Sequence, residues 1–407
     1  MIKKKNMWFI AIGEPTPIPV NFNDLHRCGQ LAYQFHVEGN DVTWFTSNFD
    51  HFNKEFVNAE ESKILKYSHD NKNFKINFLK ARPYKKNISL SRFINHYLIS
   101  KEFKKEIKFL KKPDIIYVSF PSIELAYEAV RFGKINNIPV VVDFRDLWPD
   151  IFLTALPKIL HPFAMVALLP WYIQRKYIFK NAKSIIAISD GFLKFAQKNS
   201  CNRYTNHDLV FNKSYNSNLN LSIKVENNKF QVIYFGAISR NKTHLSSVIE
   251  VFNKLDENYE LIICGDGDDL DYYKEISSEK ISFKGFVSKN QLDKIISECN
   301  LGIIPLRSRI DFKKALPNKA IEYMSYGVPI LTSLDGDLRK FIEKNKVGIF
   351  YSNKDDLKKS LSILSTNDKL LNEFSENASK TFLQNFDFEK NFTKLDKHFQ
   401  LLIDEKN

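Results

Sequence analysis

Short apolar runs alternate with helix-like segments along almost the whole chain. In the first half the runs are mostly apolar on both faces, as is typical of buried parallel strands, and they fall at residues 7–13, 41–47, 114–120, 139–144 and 184–190. A helix is predicted over residues 24–38. After residue 228 the pattern returns in the runs QVIYFGA, YELIICGDG, ISFKGFV, LGIIPL and VPILTS. The alternation predicts an α/β fold built on parallel sheets.

The repeated pattern predicts two doubly wound, Rossmann-like domains, since 407 residues are too many for one typical core. We place the N-terminal domain at residues 1–211 and the C-terminal domain at 230–387, joined by the Asn/Ser-rich linker 212–229. A last helix at about 388–403 is expected to pack back on the N-terminal domain. Open parallel sheets bind ligands beyond the carboxyl ends of their strands. Two such sheets facing each other would enclose a cleft, with one substrate held by each half.

Composition narrows the class of protein. The four cysteines, at positions 28, 201, 264 and 299, show no paired spacing, which argues for a reducing compartment and against a zinc site or a disulfide framework. The apolar run near the N-terminus is short and is predicted to be a first strand rather than a signal peptide. No stretch reaches the roughly 18 apolar residues that a membrane-spanning helix needs. We therefore expect a cytoplasmic protein.

Nearly all of the net charge of +13 lies in one segment. Residues 63–112 contain fifteen Lys and Arg but only three acidic residues, Asp70, Glu102 and Glu106. Such a surface suits anionic lipid headgroups, a pyrophosphate-bearing acceptor or nucleic acid, although a solvated lysine-rich surface explains it as well. No nucleic-acid recognition motif accompanies the charge, so we expect no nucleic-acid partner.

A second segment, residues 161–182, is apolar and aromatic with a basic tail. It is compatible with binding at a membrane surface, because stable peripheral attachment requires two signals and the basic segment supplies the other. Pro162 and Pro170 are expected to break it, and a core helix followed by a surface turn explains it nearly as well. The two segments together predict peripheral attachment to the inner face of the cell membrane through its anionic surface.

The run PNKAIEYMSYGVPILT at residues 317–332 predicts a helix followed by a short buried strand. Pro317 suits the helix start, Asn318 can cap the first turn, and Gly327 suits a left-handed end. A helix N-terminus presents unpaired N–H groups and partial positive charge, which suit phosphate. Glu322, one turn further on, could accept hydrogen bonds from ribose hydroxyls. The run therefore predicts a nucleotide site.

Further loops of the C-terminal domain follow predicted strands. The segment 234–245 combines a glycine with two cations ahead of a helix, which suits a diphosphate, although an ordinary βα turn explains it equally well. The Gly-Asp-Gly turn at 265–267 lacks the spacing of a calcium loop, and its glycines are expected to let a ligand approach the backbone. Signals at successive strand ends support a donor site made of Glu322, Lys242, Arg240, Asn318, Lys319, Gly236, Gly265 and Phe286.

In the N-terminal domain, VVVDFRDLWPD at residues 140–150 places acidic residues just after a buried strand. Asp143 or Asp146 could accept a proton from an acceptor hydroxyl, and Arg145 could pair with phosphate or with either acid. These three are the catalytic candidates. The alternative is a structural network in which Arg145 neutralises both carboxylates and Trp148 packs. The acceptor-side candidates, which follow the first two strands, are Gly13 and His51.

These motifs resemble those of a known enzyme family. The C-terminal half is similar to the donor domain of retaining glycosyltransferases with two Rossmann-like domains (the GT-B type), family 4. The similarity lies in the FGAIS…K loop, the CGDGDDL turn, the GFV edge, PNKAIEYMSYGVPILTS and VGIFY. In the first half, Gly13, Arg27, Leu31 and residues 39–43 resemble the family's opening helix and second strand. Residues 140–150 resemble the Asp-Leu-Trp-Pro segment of a subgroup that builds bacterial surface polysaccharides.

The resemblance implies roles for the residues that match. Glu322 matches the second glutamate of the family's Glu–seven residues–Glu motif, which holds the donor ribose, whereas the first glutamate is replaced by Lys314. Lys242 matches the phosphate-binding lysine. The usual arginine position is Ala237, for which Arg240 is a candidate substitute.

The resemblance also implies a function. We expect a hexosyl or N-acetylhexosaminyl group to pass from a nucleotide diphosphate donor, a UDP-sugar, to a lipid-linked or growing glycan acceptor in polysaccharide, lipopolysaccharide O-antigen or capsule assembly. The mechanism would be retaining, with front-face attack assisted by the leaving phosphate. No cofactor or metal is expected, because basic groups and a helix dipole can take a metal's place. Two alternatives stay open: a UDP-sugar epimerase of the same architecture, and a non-catalytic membrane-associated assembly partner, which Lys314 favours.

Overall fold

The computed structural model describes residues 4–15, 25–51, 53–57, 72–86, 89–154, 156–200, 208–211 and 229–405. The chain divides into two compact units. The N-terminal unit comprises Met1–Phe211 and Phe392–Asn407, and the C-terminal unit comprises Asn212–Asn391. The predicted linker lies outside the described residues apart from Lys229. Each unit contains one parallel sheet with helices, which confirms the α/β fold expected from the alternating pattern.

The described part of the N-terminal unit forms a seven-stranded parallel sheet of β1 (Asn6–Ile10), β2 (Asp41–Ser47), β3 (Phe74–Leu79), β4 (Ile115–Phe120), β5 (Val140–Phe144), β6 (Ser184–Ala187) and β7 (Leu209–Val210). The strands pair in the order β3-β2-β1-β4-β5-β6-β7. The helices are α1 (Arg27–Val37), α2 (Leu90–Glu106), α3 (Ile123–Ile135), α4 (Asp150–Leu153), α5 (His161–Asn181) and α6 (Asp190–Asn199). Strand order reverses between β1 and β4, and doubly wound sheets bind ligands at such a point.

The sequence pattern does not predict β3 and β7, which both lie at the edges of the sheet. An edge strand has one neighbour, so its side chains need not be apolar on both faces. Accordingly β3, with the sequence FKINFL, exposes Lys75 and leaves two further residues half-buried. Every residue of the inner strands β4 and β5 is buried, which explains why their apolar runs are easily recognised in the sequence.

The prediction that Pro162 and Pro170 break the apolar segment is wrong, because both lie within helix α5. It runs without interruption from His161 to Asn181. Pro162 lies in the first turn, where a helix has no partner for the backbone N–H. Pro170 is inside the helix but on its exposed side, so its ring removes one backbone hydrogen bond without entering the core.

The C-terminal unit contains a six-stranded parallel sheet of β8 (Phe230–Phe235), β9 (Tyr259–Cys264), β10 (Ile281–Gly285), β11 (Leu301–Ile304), β12 (Ile330–Thr332) and β13 (Gly348–Phe350), in the order β10-β9-β8-β11-β12-β13. Its helices are α7 (Leu245–Asn253), α8 (Leu270–Glu275), α9 (Lys289–Glu298), α10 (Ile310–Lys313), α11 (Asn318–Ser325), α12 (Asp337–Asn345), α13 (Lys354–Thr366) and α14 (Asp368–Asn385). Alternate residues of β8 enter two separate apolar clusters, so helices cover both faces of the sheet.

The run at residues 317–332, which predicts a nucleotide site, folds largely as expected. Helix α11 is followed by Gly327, whose φ of +66° is the left-handed end that was predicted, and then by the buried strand β12. The capping role assigned to Asn318 is wrong. Pro317 occupies the cap position and Asn318 is the first helical residue, with no side-chain cap hydrogen bond. The backbone N–H groups of this first turn therefore have no capping side chain.

The last helix, α15 (Phe388–Asp404), contributes its residues from Phe392 onward to the N-terminal unit. The rings of Phe392 and Phe399 lie 4.7 and 5.3 Å from that of Phe35 in α1. The buried Lys5 pairs with Asp396 at 2.9 Å. The end of the chain therefore completes the core of the N-terminal unit.

Candidate functional site

A cationic site lies where strand β8 meets helix α11. Gly236 follows β8 directly with φ of +121°, and a Cβ there would lie 2.5 Å from Nζ of Lys319. Glycine therefore leaves room for the ammonium group beside the backbone. Lys319 is the second residue of α11, so its charge adds to the partial positive charge of the helix N-terminus.

Aromatic rings surround this ammonium group. Nζ of Lys319 lies 4.2 Å from the ring centroid of Tyr234 and 5.7 Å from that of Phe235. Burial lowers the pKa of Lys319 to about 7, with Glu322 acting to raise it and Lys242 to lower it further. A bound anion would favour the protonated lysine. The two lysines and the helix N-terminus therefore suit a phosphate group.

Glu322 is buried on the same helix, where it already has a cationic partner. Nζ of Lys289 lies 2.9 Å from its Oε1 and also contacts Asp293. Burial alone would lower the pKa of Lys289, but the Glu322 and Asp293 carboxylates raise it above its usual range. A ribose that bound Glu322 would therefore share this carboxylate with Lys289, a residue that the sequence pattern does not single out.

Arg240 lies in the loop after β8 but is held by an acid of the next loop. Its Nε donates to Oδ1 of Asp269 at 2.6 Å, its backbone N–H donates to Oδ2 at 2.8 Å, and its guanidinium stacks on Tyr272. The hydrogen bond that Arg240 donates to Asp269 raises the pKa of Arg240. The side chain is 54% exposed. To reach a phosphate, Arg240 would have to leave Asp269.

The glycines of the Gly-Asp-Gly turn serve close packing between loops. A Cβ at Gly265 would collide with the carbonyl oxygen of Gly236, and one at Gly267 with that of Ile238. The backbone that approaches these glycines belongs to the loop after β8. The approach of a ligand to the same glycines stays a prediction. Gly265 N–H also donates to the carbonyl of Gly285 at 2.7 Å, and the following Phe286 is 88% exposed.

In the N-terminal unit, Asp143 is the centre of a buried ion-pair network. It has 0% exposure, accepts hydrogen bonds from Nε of Arg145 at 2.6 Å and from Tyr117 Oη at 2.5 Å, and pairs with Arg27. Arg145 also donates to Glu14 at 2.5 Å. Burial alone would raise the pKa of Asp143, but Arg145 and Arg27 hold it below its usual range. This geometry favours the structural interpretation for Asp143.

A pocket open to solvent lies at the carboxyl ends of β1, β2 and β4, where the strand order reverses. Gly13 and His51, the two acceptor-side candidates, both line it. The other lining residues are Ile12, Ser47, Phe49, Tyr84, Arg92, Asn95, His96, Pro121 and Ser122.

The two histidines of this pocket are neutral at pH 7. Nδ1 of His51 lies 2.6 Å from the hydroxyl oxygen of Tyr84. Burial and the charges of Arg92 and Lys54 lower the pKa of His51 to about 4. His96 stacks on Trp148 with ring centroids 5.6 Å apart, and burial lowers its pKa to about 3.

Residues 220–381 match the model of the family described as "Glycosyl transferases group 1". The C-terminal unit is a glycosyltransferase group 1 domain. The match begins just before β8 and ends within α14, so it includes the Gly236 loop and helix α11. None of the curated proteins compared with the chain matches its sequence.

Solved structures share the fold of the whole chain. Sucrose-phosphate synthase from Thermosynechococcus elongatus aligns with a TM-score of 0.72 at 13% identity, over 99% of this chain and 100% of that one. HepE from Anabaena in complex with UDP-glucose aligns with a TM-score of 0.63 at 13% identity, over 97% and 99%. WaaG, a glycosyltransferase involved in lipopolysaccharide biosynthesis, aligns with 0.64 at 12%, over 97% and 99%. These likenesses establish the two-domain fold called GT-B.

Within the group 1 domain, the structure brings some of the donor-side candidates together and not others. Lys319 lies against Gly236, and the charges of Glu322 and Lys242 both act on Lys319. Arg240 is held by Asp269, and Lys314 follows the short helix α10. Among the catalytic candidates of the other unit, Asp146 acts electrostatically on Arg92.

No group of three or more His, Cys, Asp or Glu side chains that could hold a metal ion occurs in the described ranges. Over the same ranges, no helix is both long enough and apolar enough to cross a membrane.

Proposed function

We propose that the protein transfers a sugar from a UDP-sugar to a lipid-linked or growing glycan acceptor, with retention of configuration, in the assembly of a surface polysaccharide. The proposed donor site rests on one observation: the ammonium group of Lys319 lies beside Gly236 at the start of α11, within a glycosyltransferase group 1 domain. HepE, whose fold the chain shares, is described in complex with UDP-glucose. The choice of uridine rests on that likeness and on the resemblance of the loops.

The chemistry of the proposed reaction is chiefly charge stabilisation. The donor diphosphate would lie against the first turn of α11 with Lys319 and Lys242 as its cations, so that negative charge developing on the leaving group meets preorganised donors. A phosphate oxygen of the leaving group would assist the acceptor hydroxyl in front-face attack. Basic side chains and the helix dipole supply the charge that a metal supplies in other enzymes.

The donor class can be tested by thermal unfolding with UDP, GDP, ADP and dTDP. A ligand that binds only the folded protein stabilises it by about 2.7 kcal/mol at a hundred times its Kd. We expect UDP to raise the Tm most. If none of the four nucleotides raises it, the donor assignment is wrong and a non-catalytic role gains support. Analysis of the products formed from a UDP-sugar distinguishes transfer from epimerisation.

Replacing Glu322 by alanine should weaken UDP binding about tenfold while the domain stays folded, because the ribose loses a charged acceptor. The matched control is Asp293→Asn. It removes the other carboxylate beside Lys289 but leaves the carboxylate of Glu322 in place. Calorimetric titration with UDP measures both variants. Equal affinities for the wild type and Glu322→Ala would contradict the ribose assignment.

We also propose that the N-terminal unit binds an anionic membrane surface through α5. Phe163, Val166 and Ile173 are 75%, 72% and 61% exposed and share one face of this helix, while its opposite face is buried. Helices α5 and α2 both pack against α3. Lys101 and Lys105 of α2 are exposed, and so is Lys108, which follows the end of the helix. An apolar face beside exposed lysines suits anionic lipid.

The double substitution Phe163→Ser and Val166→Ser should lower partitioning onto vesicles of anionic phospholipid at least about tenfold, because two apolar side chains no longer insert. Ile363→Ser, which removes an exposed apolar side chain of α13, is the control and should change little. Sedimentation with the vesicles measures both. Unchanged binding of the double variant would show that α5 is not the attachment face.

A further inference from the structure

Lys289 lies at a position where a cation is unfavourable for its own helix. It is the first residue of α9, whose start is fixed by the capping box of Ser288 and Gln291. The N-terminus of a helix carries partial positive charge, which repels a lysine. In its i, i+4 pair with Asp293 the lysine precedes the acid, and this order stabilises a helix less than the reverse order. The sequence of α9 therefore gives no reason for a lysine here, whereas its contacts with α11 do.

The ammonium group of Lys289 contacts two side chains that share one face of α11. Its Nζ donates to Oε1 of Glu322 at 2.9 Å and lies 3.4 Å from the hydroxyl oxygen of Tyr326. Nζ also lies 5.7 Å from the ring centroid of Tyr326. Glu322 and Tyr326 are four residues apart, the spacing of neighbours on one helix face. Glu322 is buried, so its carboxylate is held from the side of α9.

A second cation acts on the same carboxylate. Burial lowers the pKa of Lys319 to about 7, and the Glu322 carboxylate acts in the opposite direction. If Glu322 paired fully with Lys319, the two charges would neutralise each other, and both a ribose and a phosphate would lose a partner. The hydrogen bond from Lys289 competes with such a pair. It therefore favours a Glu322 carboxylate that is available to a ribose and a Lys319 cation that is available to a phosphate.

The Glu322 carboxylate can serve Lys289 and a ribose together. The two oxygens of a carboxylate offer about four acceptor positions. The lysine uses one of them, at Oε1. The neighbouring 2′- and 3′-hydroxyls of a ribose can both donate to one carboxylate, whereas 2′-deoxyribose keeps only one of these donors. A buried acceptor that is fixed in direction discriminates against the ligand that lacks the donor, because the acceptor is then left unsatisfied.

We infer that Lys289 is a positioning residue of the donor site, which fixes the Glu322 carboxylate for the two hydroxyls of a ribose and so makes the protein selective for ribonucleotide over 2′-deoxyribonucleotide donors. The inference rests on the proposed function, because it takes Glu322 as the acceptor for the ribose. It adds α9 to the elements that determine which donor binds. A purely structural ion pair would stabilise the fold without changing the choice of nucleotide.

The test is calorimetric titration of the full chain with UDP and 2′-deoxy-UDP, in which the ratio of the two dissociation constants is compared between variants. We expect the wild type to bind UDP at least about tenfold more tightly, because a charge-assisted hydrogen bond is lost with the 2′-hydroxyl. Lys289→Met removes the cation and should bring the two constants close together. Lys289→Arg keeps the cation and should retain most of the difference. The control is Lys294→Met, which removes an exposed lysine of the same helix and should change nothing.

A double variant shows whether Lys289 acts through Glu322. In a Glu322→Ala background the two constants should already be close together, and adding Lys289→Met should not change their ratio further. If Lys289→Met lowers the Tm, titration well below the transition and the rescue by Lys289→Arg separate loss of position from loss of fold. A folded Lys289→Met that discriminates as the wild type does would overturn the inference and leave the donor assignment intact. Equal binding of both nucleotides to the wild type would overturn the ribose role of Glu322 together with the inference, and no binding of either would overturn the donor assignment as well.

Discussion

Replacing Lys319 by methionine should weaken UDP binding by about ten- to a hundredfold at pH 7. Methionine keeps the length of the side chain beside Gly236 but removes the cation from the start of α11. A charge-assisted hydrogen bond to phosphate contributes on the order of 1.5–3 kcal/mol, which corresponds to that change in Kd. Calorimetric titration with UDP measures it, and Lys344→Met, in an exposed position of α12, is the control.

The same lysine predicts how UDP binding depends on pH. Burial lowers the pKa of the unliganded Lys319 to about 7, whereas a bound diphosphate would raise it. Between pH 7 and 9, UDP binding therefore requires proton uptake, and Kd should rise by up to about tenfold per pH unit. The Lys319→Met variant should lose this dependence. A steep pH dependence that survives in the variant would place the responsible proton on another group.

Affinity for UDP should fall as pH rises above 7, whereas the stability of the unliganded protein should increase. The unfolded chain keeps a lysine protonated to about pH 10.5, while folded Lys319 loses its proton near pH 7. The unfolded state therefore binds more protons between these values, and the contribution of Lys319 to stability rises with pH across this window. Below pH 7 the folded protein carries a cation in an unfavourable environment. Lys319→Met should accordingly raise the Tm at pH 7 while it lowers affinity for UDP.

The sequence pattern predicts the parts of this fold that depend on local burial. The inner strands are continuous apolar runs, and the start of α11 and the left-handed Gly327 follow from residue types at fixed spacing. The edge strand β3 escapes prediction because one face of such a strand needs no apolar side chains. A strand or a turn can be predicted when the residues adjacent to it in the sequence determine whether its side chains are buried.

The site is predicted less completely because its contacts join distant residues. Lys289 reaches Glu322 from another helix, and nothing near either residue in the sequence indicates the pair. Gly265 is recognisable as a position of close approach, but the carbonyl of Gly236 that fills the space belongs to a different loop. Arg92 lies in a lysine-rich helix whose composition suggests only a basic surface, and the surrounding aromatic rings distinguish it from its neighbours.

Asp143→Asn should destabilise the N-terminal unit by about 3–5 kcal/mol, which corresponds to a loss in Tm on the order of 10 °C. The substitution keeps the shape of the side chain but leaves Arg27 and Arg145 buried beside an uncharged group. Because Arg145 and Arg27 hold the pKa of Asp143 below its usual range, its contribution is fully present above the usual carboxyl pKa and is lost as pH falls through the lower folded value. The difference between the wild type and the variant should therefore be constant from pH 5 to 8 and shrink in acid.

The control for Asp143→Asn is Asp41→Asn, in the same unit. Asp41 pairs with Lys4 at 2.8 Å, but both side chains are about half exposed, so the loss should be within about 1 kcal/mol. Thermal unfolding of both variants, together with sugar transfer measured below the lower Tm, separates the two interpretations of Asp143. A large loss of stability with activity retained in the folded fraction supports the structural network. A variant as stable as the wild type but without activity would instead contradict the purely structural interpretation and give Asp143 a role in the reaction.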